Sequence, residues 1–214
     1  MNLKSYLPKD SINIGASVNL TVNSKLPKGN YSRGFLKFFD WLLEYCEKHN
    51  KGIDIRDSTY VVSNGRCGGY CDGEKIVIAG KSEYFQEVSV HESQHLVQSV
   101  ENSPLWTDED WWSGKFDALH FEKIYNLLLL ERDCELRSVK VAEKWDILDT
   151  KEYKKNANAY LLSYHYMFLN KSWVMKDGIY DPLIINSVPY EIVSEFALKN
   201  IDMDMMAIYS RALR

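Results

Sequence analysis

Residues 72–97 read Asp72-Gly73-Glu74-Lys75-Ile76-Val77-Ile78-Ala79-Gly80-Lys81-Ser82-Glu83-Tyr84-Phe85-Gln86-Glu87-Val88-Ser89-Val90-His91-Glu92-Ser93-Gln94-His95-Leu96-Val97. Lys75 to Ala79 is rich in β-branched residues, and Asp72-Gly73 just before it is turn chemistry. The run from Tyr70 to Ala79 is therefore expected to form a hairpin. Ser82 followed by Glu83 reads as a helix N-cap with an acid in the first turn, which predicts a helix over about 83–101. Val88, Val90, Leu96 and Val97 surround two histidines on that helix, so it belongs to the core rather than to a solvated surface.

Upstream, Phe35, Phe38, Phe39, Leu42, Leu43 and Cys46 recur at intervals of three and four, which predicts an amphipathic helix from Ser32 to about His49, stopped by Asn50 and Gly52. Ile53, Ile55, Tyr60, Val61 and Val62 suggest further strand. Residues 1–30, with Ile12, Ile14, Val18, Leu20 and Val22 interrupted by Pro8 and Pro27, read as an extended N-terminal segment. Downstream, Leu119 to about Trp145 has the period of one long helix with Ile124, Leu127, Leu128, Leu130, Cys134, Val139 and Val141 on its apolar side. Tyr153 to Leu169 predicts another helix. Two shorter ones are expected at about 188–200 and 203–213, after the turn residues Asp177-Gly178 and Asp181-Pro182. The expected fold class is α+β, predominantly helical, with a small antiparallel sheet before the helix that carries the histidines. The 214 residues suit one domain, with a C-terminal helical segment over about 175–214.

Composition narrows the function. Apolar residues make up 45% and charged residues 26%, the balance of a folded globular chain. The net charge of −4 and the lack of a basic stripe argue against nucleic acid as a partner. No apolar run approaches the roughly 20 residues that span a bilayer, and the N-terminus lacks the pattern of a signal peptide, so no membrane association and a cytoplasmic location are expected. Cys46, Cys67, Cys71 and Cys134 would then stay reduced. Cys67 and Cys71 in a glycine-rich turn read as free thiols, because no matching pair completes a four-ligand site.

The chemistry lies in His91-Glu92-Ser93-Gln94-His95. Residues four apart on a helix share a face, so the two imidazoles can chelate one ion, and Glu92 beside the first ligand can reach water at that ion. Zinc lowers the pKa of such a water toward neutrality, and the carboxylate accepts its proton. A catalytic zinc site needs a third protein ligand and an open position. The extended pattern that places this ligand six residues on would use Glu101, but Gln98 stands where that turn requires glycine. Leu130-Glu131-Arg132-Asp133-Cys134-Glu135 is the better source. Glu131 and Glu135 lie one turn apart on one face, so one can bind the metal while the other accepts a hydrogen bond from a ligand histidine; Asp133 points elsewhere.

This order of motifs resembles the gluzincin group of zinc peptidases, and also small, uncharacterised HExxH proteins encoded by bacteriophages. The resemblance covers roughly residues 55 to 170, and HExxH is its one sharply diagnostic part. It implies a zincin-like domain with its metal-site core over 55–170, acting on a peptide or protein substrate, with Zn2+ on His91, His95 and Glu131, Glu92 as general base and Glu135 behind a histidine. Glu135 stands where the group has Asp, a length that also lets Glu131 and Glu135 exchange roles. The resemblance implies a further Tyr, His or Arg to stabilise the oxyanion, and the helix Asn158 to Tyr166 offers Tyr160, Tyr164 and His165. An alternative from another class is a catalytically silent zinc-binding regulatory or interaction module.

Three other features carry weaker signals. His120 is too far before Glu131 along one helix to share its metal and reads as a surface residue. The loop with Trp106, Trp111 and Trp112 is either a substrate lid or packing. The run Tyr70 to Ala79 is a candidate edge for an extended peptide, with Gly68 and Gly69 either allowing close approach or simply making a turn.

Overall fold

In the computed structural model, residues 25–61, 67–106, 121–172 and 176–213 are described. Most of residues 1–30, together with Val62, Trp111, Trp112 and His120, lie outside them. The first helix, α1 (Arg33–Lys48), begins where expected, because the Ser32 hydroxyl accepts from the Phe35 amide at 3.0 Å. Its Phe35, Phe38, Phe39, Leu42 and Cys46 are all buried.

Three strands follow: β1 (Gly52–Arg56), β2 (Gly69–Cys71) and β3 (Lys75–Ala79). The expected hairpin is β2 with β3, antiparallel, turning at Gly73 with φ +86°. The sheet is not wholly antiparallel, however. β1 lies on the other side of β3 and runs parallel to it, so the order is β1-β3-β2 and the sheet is mixed. The unbroken apolar run Ile76-Val77-Ile78-Ala79, fully buried on both faces, is what a central strand requires. The candidate peptide edge accordingly shrinks to β2, since β3 is paired on both sides.

The histidine helix is α2 (Phe85–Val100). It starts later than expected, with Tyr84 at the N-cap; Ser82 instead closes the preceding turn, its hydroxyl accepting from the Tyr84 amide at 3.2 Å. The long helix is α3 (Phe121–Trp145), and α4 (Thr150–Asn170) begins three residues ahead of Tyr153 because Asp149 caps it through the amides of Lys151 and Glu152. Among the described residues the tail holds four short helices, α5 (Lys176–Ile179), α6 (Pro182–Ile185), α7 (Glu195–Lys199) and α8 (Met203–Ala212), so the helix expected over about 188–200 is confined to its last part, where Ser194 caps it. Asp181-Pro182, expected as a turn, instead starts α6, with the Asp181 side chain as cap. The result is the predominantly helical α+β fold that the sequence indicates.

Two apolar clusters frame the site. One joins α1, the sheet and α2 through Phe35, Phe38, Ile53, Ile76, Phe85 and Leu96. The other joins α3, α4 and the tail through Ile124, Leu128, Leu161, Met167, Leu198 and Tyr209. α3 belongs to both, because Ile124 and Leu128 sit in the second while Val141 and Trp145 pack on the first. At that second end a Cβ on Gly34 would fall 1.7 Å from the Trp145 carbonyl oxygen, so only glycine admits this approach. Among the described residues no helix is long and apolar enough to cross a membrane.

Candidate metal centre

α2 and α3 face each other where His91 and His95 meet Glu131, Cys134 and Glu135. The histidines come from i and i+4 on α2, with ring centroids 4.7 Å apart. Glu131 Oε2 stands 3.5 Å from His91 Nε2 and 3.4 Å from His95 Nε2, between the two imidazoles. Glu135, one turn on, puts Oε1 at 3.1 Å from His91 Nδ1, the opposite edge of that ring. Ligand atoms of His91, His95 and Cys134 also lie within 4.8 Å of one another, a group that could hold a metal ion. The two sets differ in geometry. Cys134 Sγ meets His91 at Nδ1, 3.7 Å away, and its thiol donates to the His91 carbonyl at 3.3 Å, whereas Glu131 faces both Nε2 atoms.

Each histidine is held from behind. Glu135 accepts from the Tyr153 hydroxyl at 2.6 Å while it contacts His91. His95 Nδ1 lies 2.8 Å from Gln98 Oε1, and Gln98 Nε2 donates to the Leu130 carbonyl at 3.1 Å and to Asp133 Oδ2 at 2.8 Å. Arg137 donates to the same Asp133 oxygen at 2.7 Å and pairs with Glu101 at 2.8 Å. Asp133, expected to point away, thus takes part through Gln98. Partners of this kind fix the tautomer and aim of a ligand imidazole.

The electrostatics favour a cation. Burial opposes charge on His91 and His95, yet Cys134 with Glu135 at the first, and Cys134 with Glu131 at the second, outweigh it and hold both imidazoles well above the ordinary histidine range. Burial, with Glu131 next, pushes the hydroxyls of Tyr160 and Tyr164 well above the tyrosine range. A divalent ion held by the two imidazoles would satisfy the same carboxylates.

A cleft of about 650 Å³ opens beside His91 and Glu92, with Gly68, Gly69, Glu87, Tyr153, Tyr160 and Tyr180 among its walls. Glu92 is buried at the foot of β2, where a Cβ on Gly69 would come within 3.0 Å of its Cγ and 2.5 Å of Val88 Cγ1. Close approach, rather than a turn, is therefore the reason for glycine at 69. Trp106, the described part of the tryptophan loop, places its ring 6.0 Å from that of His95. Cys67 and Cys71 are free thiols; Cys67 donates to the Gly69 carbonyl at 2.7 Å.

Of the residues offered by α4, Tyr160 lines the cleft, with its ring 6.2 Å from His91, and Tyr164 sits behind it, hydroxyl to hydroxyl at 2.7 Å. His165 does not join them. It is fully buried in the second core, with Nε2 at 2.8 Å from the Leu198 carbonyl oxygen and its ring against Phe121, and burial lowers its pKa. Sequence reasoning passed over Tyr153, Gln98 and Glu87. Gln98 and Glu87 carried a signal, since each lies within one turn of a histidine on the same helix; Tyr153 reaches Glu135 from a different helix and carried none. No family model, curated protein or solved structure matches the chain.

Proposed function

We propose that the chain is a zinc-dependent peptidase in which His91, His95 and Glu131 hold the ion. The observation that carries this reading is the position of Glu131 Oε2, 3.5 and 3.4 Å from the two Nε2 atoms. Two ligands each ~2.05 Å from a tetrahedral ion stand about 3.3 to 3.4 Å apart, so these separations fit a shared zinc with little movement. Such an ion supplies Lewis acidity toward a carbonyl and acidifies water.

The remaining work falls to side chains. Glu92, buried at the cleft wall next to His91, takes the proton from the attacking water and returns it to the leaving amine. Tyr160, at the same wall and bonded to Tyr164, is placed to donate its hydroxyl to the oxygen that gains charge; its raised pKa keeps it protonated for that task. Glu135, held by Tyr153, steadies His91, and Gln98 steadies His95. β2, with Gly69 packed against Glu92, supplies an edge along which an extended peptide can pair. Free thiols throughout the described chain suit the cytoplasmic setting proposed with it.

The test is hydrolysis of a mixed peptide library by zinc-loaded protein and by Glu92→Gln. The variant should keep the metal and lose turnover by ~100-fold or more; full activity in Glu92→Gln would sink the assignment. A second reading has a specific observation behind it, the nearness of Cys134 to both histidines. If Cys134 is a ligand as well, the site is closed and the protein is a metal-stabilised binding module without turnover. Cobalt substitution separates the two, because a thiolate ligand gives an intense near-ultraviolet charge-transfer band that Cys134→Ser abolishes.

A further inference from the structure

The cleft beside the candidate metal centre has walls of unusual composition. Glu87 lies one turn before His91 on α2 and lines the same cavity, so it faces the same side of the helix as the ligand. It is half-buried, and its neighbours Glu152 and Glu135 are also acidic. Among the described residues none of the ion pairs involves Glu87. Of the basic side chains on the cavity wall, Lys81 is turned to Asp57 at 2.9 Å, and His91 faces Glu131 and Glu135. A half-buried carboxylate beside other acids, with no ion pair among the described residues, is favoured by a cationic group that enters the cavity.

The rest of the wall suits a long cationic side chain. Tyr84 and Tyr180 both line the cavity, with ring centroids 5.9 Å apart, and Tyr84 is 40% exposed. Aromatic faces of this kind accept both the methylene stem and the charged head of Lys or Arg. We propose that Glu87 is a specificity-determining residue, and that this cavity takes a Lys or Arg side chain of a bound peptide with the tyrosine pair around its stem. The inference deepens the peptidase reading and rests on it for the orientation of the peptide, because the same cavity reaches Glu92 and His91.

The experiment uses the full chain, zinc-loaded, and a set of N-acetylated, C-amidated hexapeptides of Ala and Gly that carry Lys, Arg, norleucine or Glu at one scanned position. Norleucine keeps the length of Lys without its charge. Turnover is measured with the wild-type chain, and binding with Glu92→Gln by calorimetry, so that the preference is read with or without catalysis. Lys and Arg peptides should exceed their norleucine counterpart by roughly 10- to 100-fold, through KM rather than kcat. Glu87→Gln should bring that ratio near one, and Glu87→Lys should turn the preference toward the Glu peptide. If no peptide is hydrolysed but the charge preference in binding follows residue 87, the peptidase reading falls and the cavity assignment stands. If Lys and norleucine peptides bind alike, if none binds, or if Glu87→Gln keeps the preference, the assignment is overturned.

Discussion

Tyr153→Phe removes one oxygen from the centre and leaves the ring in place. The Tyr153 hydroxyl donates to Glu135 Oε2 at 2.6 Å, with Tyr153 5% and Glu135 4% exposed, so water cannot easily replace the lost donor. A hydrogen bond to a charged acceptor contributes ~1.5 to 3 kcal/mol, and here the lower half applies because Glu135 keeps its contact with His91 Nδ1 at 3.1 Å. About 2 kcal/mol should be lost, which for a chain of this length lowers Tm by roughly 4 to 8 °C. Zinc affinity should fall about tenfold, since Glu135 would be free to rotate and His91 would lose its fixed aim. Thermal unfolding of the metal-free protein gives the first figure, and competition with a fluorescent zinc chelator gives the second. A Tm within about 1 °C of the parent together with unchanged zinc affinity would refute the claim that Tyr153 holds Glu135 in place.

Gly69→Ala should cost about 1 to 3 kcal/mol in urea unfolding, because the new Cβ meets Val88 Cγ1 at 2.5 Å and both the Val77 carbonyl oxygen and Glu92 Cγ at 3.0 Å. Gly68→Ala, whose nearest neighbour is Val88 Cγ2 at 3.2 Å, should cost less; equal effects would remove the argument for close approach at 69. Stability should also carry a pH slope from Glu87, whose carboxyl is pushed up to about 7 by burial and then by Glu152 and Glu135. The folded chain then holds a proton that the unfolded chain releases above ~4.5, so this contribution is complete below ~4.5 and is lost as pH rises through about 7, by at most ~3 kcal/mol. Urea unfolding of metal-free Glu87→Gln across that window should be flatter than the parent's by this amount, and parallel curves would contradict it.

Much of the centre was legible because it follows helix periodicity. His91 with His95, and Glu131 with Glu135, are each one turn apart, and that spacing alone puts each pair on a face. What periodicity cannot supply is the angle at which two helices meet. Tyr153 reaches Glu135 only because α4 lies against α3, and Cys134, read as apolar core, approaches His91 for the same reason. His165 shows the opposite error. One residue past Tyr164 on a helix is a rotation of about 100°, which carries it from the side that faces Tyr160 and the cleft to the face that meets α7 at Leu198. The parallel pairing of β1 with β3 was hidden because local sequence names a strand's faces, not its neighbours; the unbroken apolar run in β3 was the one available sign of a central position.

The central claim is that His91, His95 and Glu131 share one metal ion. Its most direct measurement is the zinc content, by elemental analysis after zinc loading and dialysis at neutral pH, of the full chain beside His91→Ala, Glu131→Gln and Cys134→Ser. About one zinc per chain in the parent and in Cys134→Ser, with loss from His91→Ala and Glu131→Gln, is the predicted result. No zinc in the parent, or loss from Cys134→Ser with retention in Glu131→Gln, would contradict it.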